Sequence, residues 1–255
     1  MKRFFFWLIP VVLLGTFAAL YLWPQAETPQ PQTVTAPAPP AEPPIRYPVH
    51  SAESATAPLP ALADSDRAIS DALAELFGQR LPKFLISKNL IHRFVATVDN
   101  LPRDHVAQQL MPVKAVTGIP ITEHSGERLV LSPKNAARYQ AYVSVADTVP
   151  TGAMVAVYAR FYPLLQEQYE KLGYPGRYFN DRVVEVIDHL LTTPEVPEPL
   201  HLVQPEVLYE FADPKLETLS AGQKIFLRIG KANRDKLKSK LTELRQALVA
   251  MPPKE

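Results

Sequence analysis

A long uncharged run near the N-terminus restricts this chain more than any other feature of its sequence. Residues 4–23 read FFFWLIPVVLLGTFAALYLW and contain no charged side chain. These 20 residues form a helix about 30 Å long at a rise of ~1.5 Å per residue, which matches one hydrocarbon core. Aromatic side chains lie near both ends of the run, as in the interfacial belts of membrane proteins. The run predicts one transmembrane helix.

The charges that flank this run predict its orientation. Lys2 and Arg3 precede it, and the next charged residue after it is Glu27. The positive-inside rule therefore places residues 1–3 in the cytoplasm and the rest of the chain outside the inner membrane. A cleaved signal peptide is the alternative, but its apolar region is shorter and it ends at a site with small residues. The residues Pro24-Gln25-Ala26 are a poor site of that kind, which favours an uncleaved anchor.

A proline-rich segment follows the predicted anchor. Residues 24–60 hold eleven of the 27 prolines of the chain, among Ala, Thr, Gln, Glu and Ser. Such a composition buries too little apolar surface to offset the entropy of ordering, and proline favours extended backbone. At ~3.1 Å per residue the segment reaches at most about 115 Å. We expect a disordered spacer that separates a folded domain from the membrane.

Residues 61–251 show the periodic apolar pattern of a compact, mainly α-helical domain. We expect seven or eight helices, with residues 252–255 as a tail. Apolar residues between 90 and 101 recur at helical spacing, although β-branched residues leave a strand as the alternative. Pro163 is expected to kink or split a helix that begins near Thr151. Asn180 is expected to cap the helix that follows it, and Gly230 to separate the last two helices.

The pattern predicts little β-structure, at most a short hairpin. Residues 119–131 alternate between apolar and polar and turn at Ser125-Gly126. Residues 200–203, LHLV, are a further candidate for extended structure.

The motifs that identify common enzymes and cofactor sites are missing from the sequence. There is no Cys, which excludes disulfides, a thiol nucleophile and thiolate metal sites. No GxGxxG, phosphate loop, GxSxG or HExxH occurs. We therefore predict no cofactor and no metal. A net charge of +1 and a location outside the cytoplasm also argue against nucleic acid as a partner.

The most crowded stretch is GYPGRYFNDRVVEVIDHL, residues 173–190. On a helix, Asp181, Glu185 and Asp188 share one face, while Val and Ile fill the other. This pattern fits a structural helix start with a solvated acidic face, and a binding surface is the next alternative. The candidate binding residues are Tyr174, Arg177, Tyr178, Asn180, Asp181, Glu185 and Asp188. Catalysis is the least favoured reading, with Glu185 and Asp188 as an acid and base that cleave cell-wall glycan.

The C-terminal region is basic. Residues 224–245 hold eight Lys or Arg against two acidic residues. A terminal helix that packs on the core and extends its cations to water is the favoured reading. The alternative is a surface for an anionic partner. Its candidate residues are Lys231, Arg234, Lys238 and Arg245.

Three long phrases resemble one bacterial family, catalogued as domain of unknown function 3014. They are RFVATVDNLP at 93–102, YFNDRVVEVIDHLLTTP at 178–194 and LVQPEVLYEFADPKLETLSAGQKIFLRIG at 202–230. The resemblance implies a membrane-anchored envelope protein. It implies no activity, cofactor or site residue.

Together these features predict a single-pass protein of the bacterial inner membrane. Its N-terminus is cytoplasmic, and its periplasmic helical domain binds an envelope component or a protein partner without catalysis. A cell-wall enzyme and a structural tether within a membrane complex are the alternatives. The sequence leaves the oligomeric state open.

Overall fold

A computed structural model of the protein describes residues 44–49, 58–78 and 83–251. The predicted transmembrane helix at 4–23, most of the predicted spacer at 24–60 and the tail at 252–255 lie outside these ranges. No helix within the described ranges is long and apolar enough to cross a membrane.

The described residues are mainly helical, as predicted, and contain eight α-helices. These are α1 (Ser65–Phe77), α2 (Leu90–Asn100), α3 (Gln140–Thr148), α4 (Thr151–Lys171), α5 (Phe179–Leu191), α6 (Pro214–Glu217), α7 (Ala221–Arg228) and α8 (Lys231–Val249). The strands are β1 (Thr122–Ser125), β2 (Arg128–Leu131), β3 (His201–Val203) and β4 (Glu210–Phe211). Short 3-10 helices occupy Leu62–Asp64, Gln108–Leu110 and Pro133–Tyr139.

The main hydrophobic core lies between α1, α2, α4, α5 and α8. Phe161 of α4 and Phe179 of α5 are fully buried at its centre, together with Ile91 and Val95 of α2. These four side chains come from three helices, so the core joins segments that are far apart in sequence. Burial of this apolar surface is the main source of stability for such a domain.

A second apolar cluster lies beneath the sheet. Its buried members are Leu131, Leu200, Leu202, Phe211 and Leu227. They come from strands β2, β3 and β4, the residue before β3, and helix α7. The sheet therefore packs against α7, and it is not a free appendage of the helical domain.

The prediction of at most a short hairpin is wrong, because the four strands form one antiparallel sheet in the order β1-β2-β3-β4. The predicted hairpin is confirmed as β1 and β2, and Thr122 is paired with Leu131. The extended segment predicted at 200–203 contributes β3, where Leu202 pairs with Phe211 of β4. Strand β4 has only two residues, so it carries too little alternation to be recognised in the sequence.

The start of α2 depends on a side chain from α1. The carboxylate of Asp66 accepts hydrogen bonds from the backbone N–H groups of Asn89 at 2.7 Å and Leu90 at 2.8 Å. Asn89 itself has a left-handed backbone with φ of 56°, a conformation that Asn tolerates better than most residues. A carboxylate at a helix N-terminus is also favoured by the helix dipole. This contact joins α1 to α2 and helps to select the helix over the strand.

Pro163 does not split its helix, so one of the two outcomes expected from the sequence is wrong, while the kink stays a prediction. Helix α4 is 21 residues long and continues through Pro163 without a break. The side chains of Phe161, Tyr162, Leu164 and Leu165 around the proline are all buried. Packing on both sides of Pro163 therefore holds the helix together where one backbone hydrogen bond is missing.

Helix α7 approaches α5 and the end of α2 so closely that only glycine fits at position 222. A Cβ there would lie 2.6 Å from Leu190 Cδ2 and 3.0 Å from the Leu101 carbonyl oxygen. The backbone N–H of Gly222 donates to that same carbonyl at 2.9 Å, and Ala221 N–H donates to Arg103 O at 2.7 Å. The first turn of α7 is thus fixed to the end of α2 through backbone atoms.

We predict that Gly222→Ala lowers the free energy of unfolding by about 1–3 kcal/mol, the usual cost of overpacking. The added methyl meets a backbone oxygen that cannot rotate away. Gly152→Ala is the matched control, since nothing lies within 4 Å of its added Cβ. Thermal unfolding of the purified chain, followed by circular dichroism, should show a lower Tm for Gly222→Ala only. Equal melting temperatures for both variants would contradict the close packing of α7.

Candidate functional site

Six residues of the predicted spacer, 44–49, lie across the N-terminus of α5, and we call them the strap. The carboxylate of Asp181 accepts hydrogen bonds from two consecutive strap amides, Arg46 N–H at 3.0 Å and Tyr47 N–H at 2.8 Å. The side chain of Val49 is buried in the main core, and Tyr47 packs against that core. Contact with the helical domain therefore begins before residue 61.

Two further side chains of the α5 start hold the strap. Asn180 Nδ2 donates to the Tyr47 carbonyl at 2.9 Å, and the Tyr178 hydroxyl accepts from Val49 N–H at 2.6 Å. The Tyr178 hydroxyl also donates to the Val49 carbonyl at 3.3 Å. The strap is therefore held at three of its amide N–H groups and two of its carbonyls. Tyr178, Asn180 and Asp181 were all among the binding residues predicted from the sequence.

Asn180 does not cap α5, which corrects the prediction. The helix begins at Phe179, and the residue before it, Tyr178, has an extended backbone. Asn180 is completely buried, and its Oδ1 accepts from the Tyr158 hydroxyl at 3.0 Å. Both polar atoms of its amide have a partner, Oδ1 in Tyr158 and Nδ2 in the strap, as a buried amide requires.

Two tyrosines of α4 contact Asn180, of which Tyr162 is buried and Tyr158 is partly buried. Tyr162 Oη accepts from Asn180 N–H at 3.2 Å and donates to Gln166 Oε1 at 3.1 Å. Burial raises the pKa of the Tyr158 phenol well above its ordinary value, and it also raises the pKa of Tyr162. Both hydroxyls therefore remain protonated at neutral pH and keep their roles as donors.

A buried carboxylate, Asp99 at the end of α2, organises the other side of this region. Only 3% of its side chain is exposed. It accepts from Arg103 at 2.6 Å, from the Tyr174 hydroxyl at 3.0 Å and from Arg182 Nε at 3.2 Å. We call Asp99, Arg103, Tyr174 and Arg182 the aspartate cluster. It joins α2, the loop before α5 and α5 itself.

Glu185 and Asp188, the predicted catalytic pair, each have a cationic partner within the domain. Glu185 pairs with Arg182 at 3.1 Å, and Asp188 accepts hydrogen bonds from the guanidinium of Arg245 in α8. Their side chains are 58% and 45% exposed. The acidic face is thus only partly solvated, and Asp181 at its start is covered by the strap.

The structure divides the predicted binding residues between different partners. Tyr178, Asn180 and Asp181 meet at the strap, whereas Tyr174 belongs to the aspartate cluster. Arg177 is exposed, and its carbonyl accepts from Gln166 Nε2 at 2.8 Å. The residues that the sequence placed together are therefore adjacent in space, but most of them contact the domain itself.

The four candidate residues of the basic helix are all paired within the domain. Lys231 bonds Asp235 at 2.6 Å, and Arg245 bonds Asp188. Arg234, which is buried, and Lys238 both bind Glu195, at 2.7 Å and 3.1 Å. The hydrogen bond from Lys238 is the main cause that lowers the pKa of Glu195. These contacts support the prediction of a terminal helix that packs on the core.

A groove of about 670 Å³ lies between the sheet and the start of α8. Two of its carboxylates accept hydrogen bonds from within the domain, Glu198 from Lys231 N–H at 3.3 Å and Glu123 from the Ser132 hydroxyl at 2.9 Å. No group of three or more His, Asp or Glu side chains in the described part of the chain is arranged to hold a metal ion.

Sequence reasoning missed Asp99, Arg182 and Tyr47. Asp99 and Arg182 lie in two of the phrases that carry the family resemblance, but no motif indicates that they pair across 83 positions. Tyr47 stands among prolines, where composition predicts disorder. An aromatic residue flanked by Ile45 and Val49 was the only local signal of a contact with the domain.

We predict that Asp99→Asn destabilises the domain by about 3 kcal/mol, because it removes the buried charge that Arg103 and Arg182 share. The partly buried Arg182 then keeps only the exposed Glu185 as a counterion. Asp71→Asn is the matched control, since Asp71 also faces an arginine one helical turn away but is well exposed. That change should cost less than about 0.5 kcal/mol. Urea unfolding of both variants measures the difference. A similar small effect for both would show that the aspartate cluster is not a structural centre.

The comparisons with known proteins agree with the resemblance found in the sequence. The profile of one family, described as "Protein of unknown function (DUF3014)", matches residues 90–245. The match extends from the first residue of α2 into α8 and includes the aspartate cluster and all of α5. No curated protein and no solved structure matches the chain. Because the match covers more than half of its length, the chain belongs to the DUF3014 family of proteins of unknown function.

Proposed function

We propose that this protein is anchored in the bacterial inner membrane by residues 4–23 and that its helical domain binds a protein partner in the periplasm, without catalysis. The anchor is supported by the length and charge pattern of the N-terminal run. The binding role is supported most directly by one exposed apolar loop.

That loop comprises residues 204–209, between β3 and β4. Val207 and Leu208 within it are 83% and 76% exposed, and Val203 at the end of β3 is 44% exposed. Single exposed apolar residues are common on protein surfaces, but several together on one loop are typical of interaction sites. A hydrogen bond from Gln204 Nε2 to Val207 O, at 3.1 Å, fixes the loop without covering these side chains.

The contacts of the acidic face favour a non-catalytic role. An acid–base pair for glycan cleavage must face its substrate and hold different protonation states. Glu185 and Asp188 instead pair with Arg182 and Arg245. Each carboxylate is therefore engaged by an arginine of the domain, an arrangement that fits a structural role.

We predict that a thiol introduced at position 208 is accessible to reagents in the periplasm and lies close to the bound protein partner. The chain has no Cys, so Leu208→Cys and Glu75→Cys each carry a unique reactive group. Glu75 is exposed on α1 and serves as the control. A membrane-impermeant maleimide should label both variants in intact spheroplasts. A photoactivated crosslinker attached to the thiol should give a discrete protein adduct at position 208 but not at position 75.

Val207→Ser should abolish the adduct while it changes the free energy of unfolding by less than about 0.5 kcal/mol, as expected for an exposed site. Labelling that requires cell lysis would overturn the periplasmic location. Equal crosslinking at both positions, or an adduct that survives Val207→Ser, would overturn the role of the loop.

A further inference from the structure

The contacts at the start of α5 have the form of a peptide-binding site. The Asp181 carboxylate accepts hydrogen bonds from the N–H groups of two consecutive strap residues. Asn180 donates to the carbonyl of the second of these residues, and the Tyr178 hydroxyl accepts from the N–H group of Val49. These contacts reach the strap through its backbone. Side chains add to them at Tyr47, which packs against the core, and at Val49, which is buried.

The other strap side chains show that the domain contacts the strap along one side only. Ile45 is 57% exposed, and Arg46 is exposed as well. The prolines at 44 and 48 lack an N–H group, and neither occupies a position at which the domain accepts one. The proline positions and the acceptor positions therefore fit only one register of the strap.

We propose that Tyr178, Asn180 and Asp181 form a binding site for extended peptides, and that the strap is the ligand that occupies it within the chain. The site selects a segment in which two consecutive residues have N–H groups that are free to donate. The second of these residues is aromatic, as Tyr47 is, and an aliphatic residue such as Val49 follows two positions later. The proposal is independent of where the domain lies relative to the membrane.

The strap is suited to leave this site without unfolding of the domain. It consists of six described residues, and of its side chains only that of Val49 is buried. Asn180 is held independently of it, because Tyr158 and Tyr162 hydrogen-bond to Asn180 from α4. A segment with few buried contacts opens more readily than the core on which it lies.

The test uses the full chain with an N-terminal affinity tag and a protease recognition sequence in place of residues 51–56. The purified protein is cut in detergent, and the N-terminal fragment is captured on a resin. We expect the helical domain to remain bound to that fragment through the strap. A synthetic peptide of residues 42–50, EPPIRYPVH, should release it as the peptide concentration rises. The same peptide N-methylated at Arg46 and Tyr47, which lacks both N–H donors to Asp181, should not.

Variants of the site provide the comparison. Asp181→Asn should weaken retention by at least about 10-fold, because a charged acceptor of two hydrogen bonds is replaced by a neutral one. Tyr178→Phe removes the acceptor for Val49 and serves as a second variant if Asp181→Asn does not fold, as judged by circular dichroism. Asp147→Asn, at an exposed aspartate of α3, should retain the fragment like the wild type.

Three results would overturn the proposal. They are immediate loss of the wild-type domain after cleavage, equal release by the N-methylated peptide, and unchanged retention in both site variants.

Discussion

The buried carboxylate of Asp99 is the contact on which the arrangement of the helices around α5 depends. It is almost fully removed from water and must be compensated where it lies. Arg103 compensates it from the same helix, Arg182 from α5 and Tyr174 from the intervening loop. A group with this requirement fixes the orientation of every element that supplies a partner. The first turn of α7 then packs against the same end of α2 through the Leu101 and Arg103 carbonyls.

Helix α5 therefore has two different surfaces. Its apolar face is buried in the core, while Asp181 and Asn180 of its first turn, with Tyr178 just before it, contact the strap. The acidic face beyond that turn is neutralised by Arg182 and Arg245. These contacts explain why the most crowded stretch of the sequence contains so many polar residues without a catalytic arrangement. Since the acidic face is engaged within the domain, the proposed partner binding depends on the exposed β3–β4 loop.

The sequence predicted the parts of the fold that local pattern controls. The helical class, the hairpin and the break at Gly230 are confirmed, because apolar periodicity and turn residues act over short distances. The extent of the sheet was missed, since β4 is short and its pairing with β3 is a tertiary contact. Asn180 was assigned as a cap because local rules favour it, whereas the structure uses its amide to hold Tyr47. The strap was also missed, because a proline-rich composition predicts disorder and does not indicate a contact with a distant helix.

The central claim, that the strap is held by Asp181, is tested most directly by amide hydrogen exchange. The N–H groups of Arg46 and Tyr47 have no partner in regular secondary structure, so their protection reports on the carboxylate alone. We expect both amides to exchange at least about 10-fold more slowly than those of Val207 and Leu208, and to lose that protection in Asp181→Asn. Exchange of Arg46 and Tyr47 as fast as in the exposed β3–β4 loop would contradict the account.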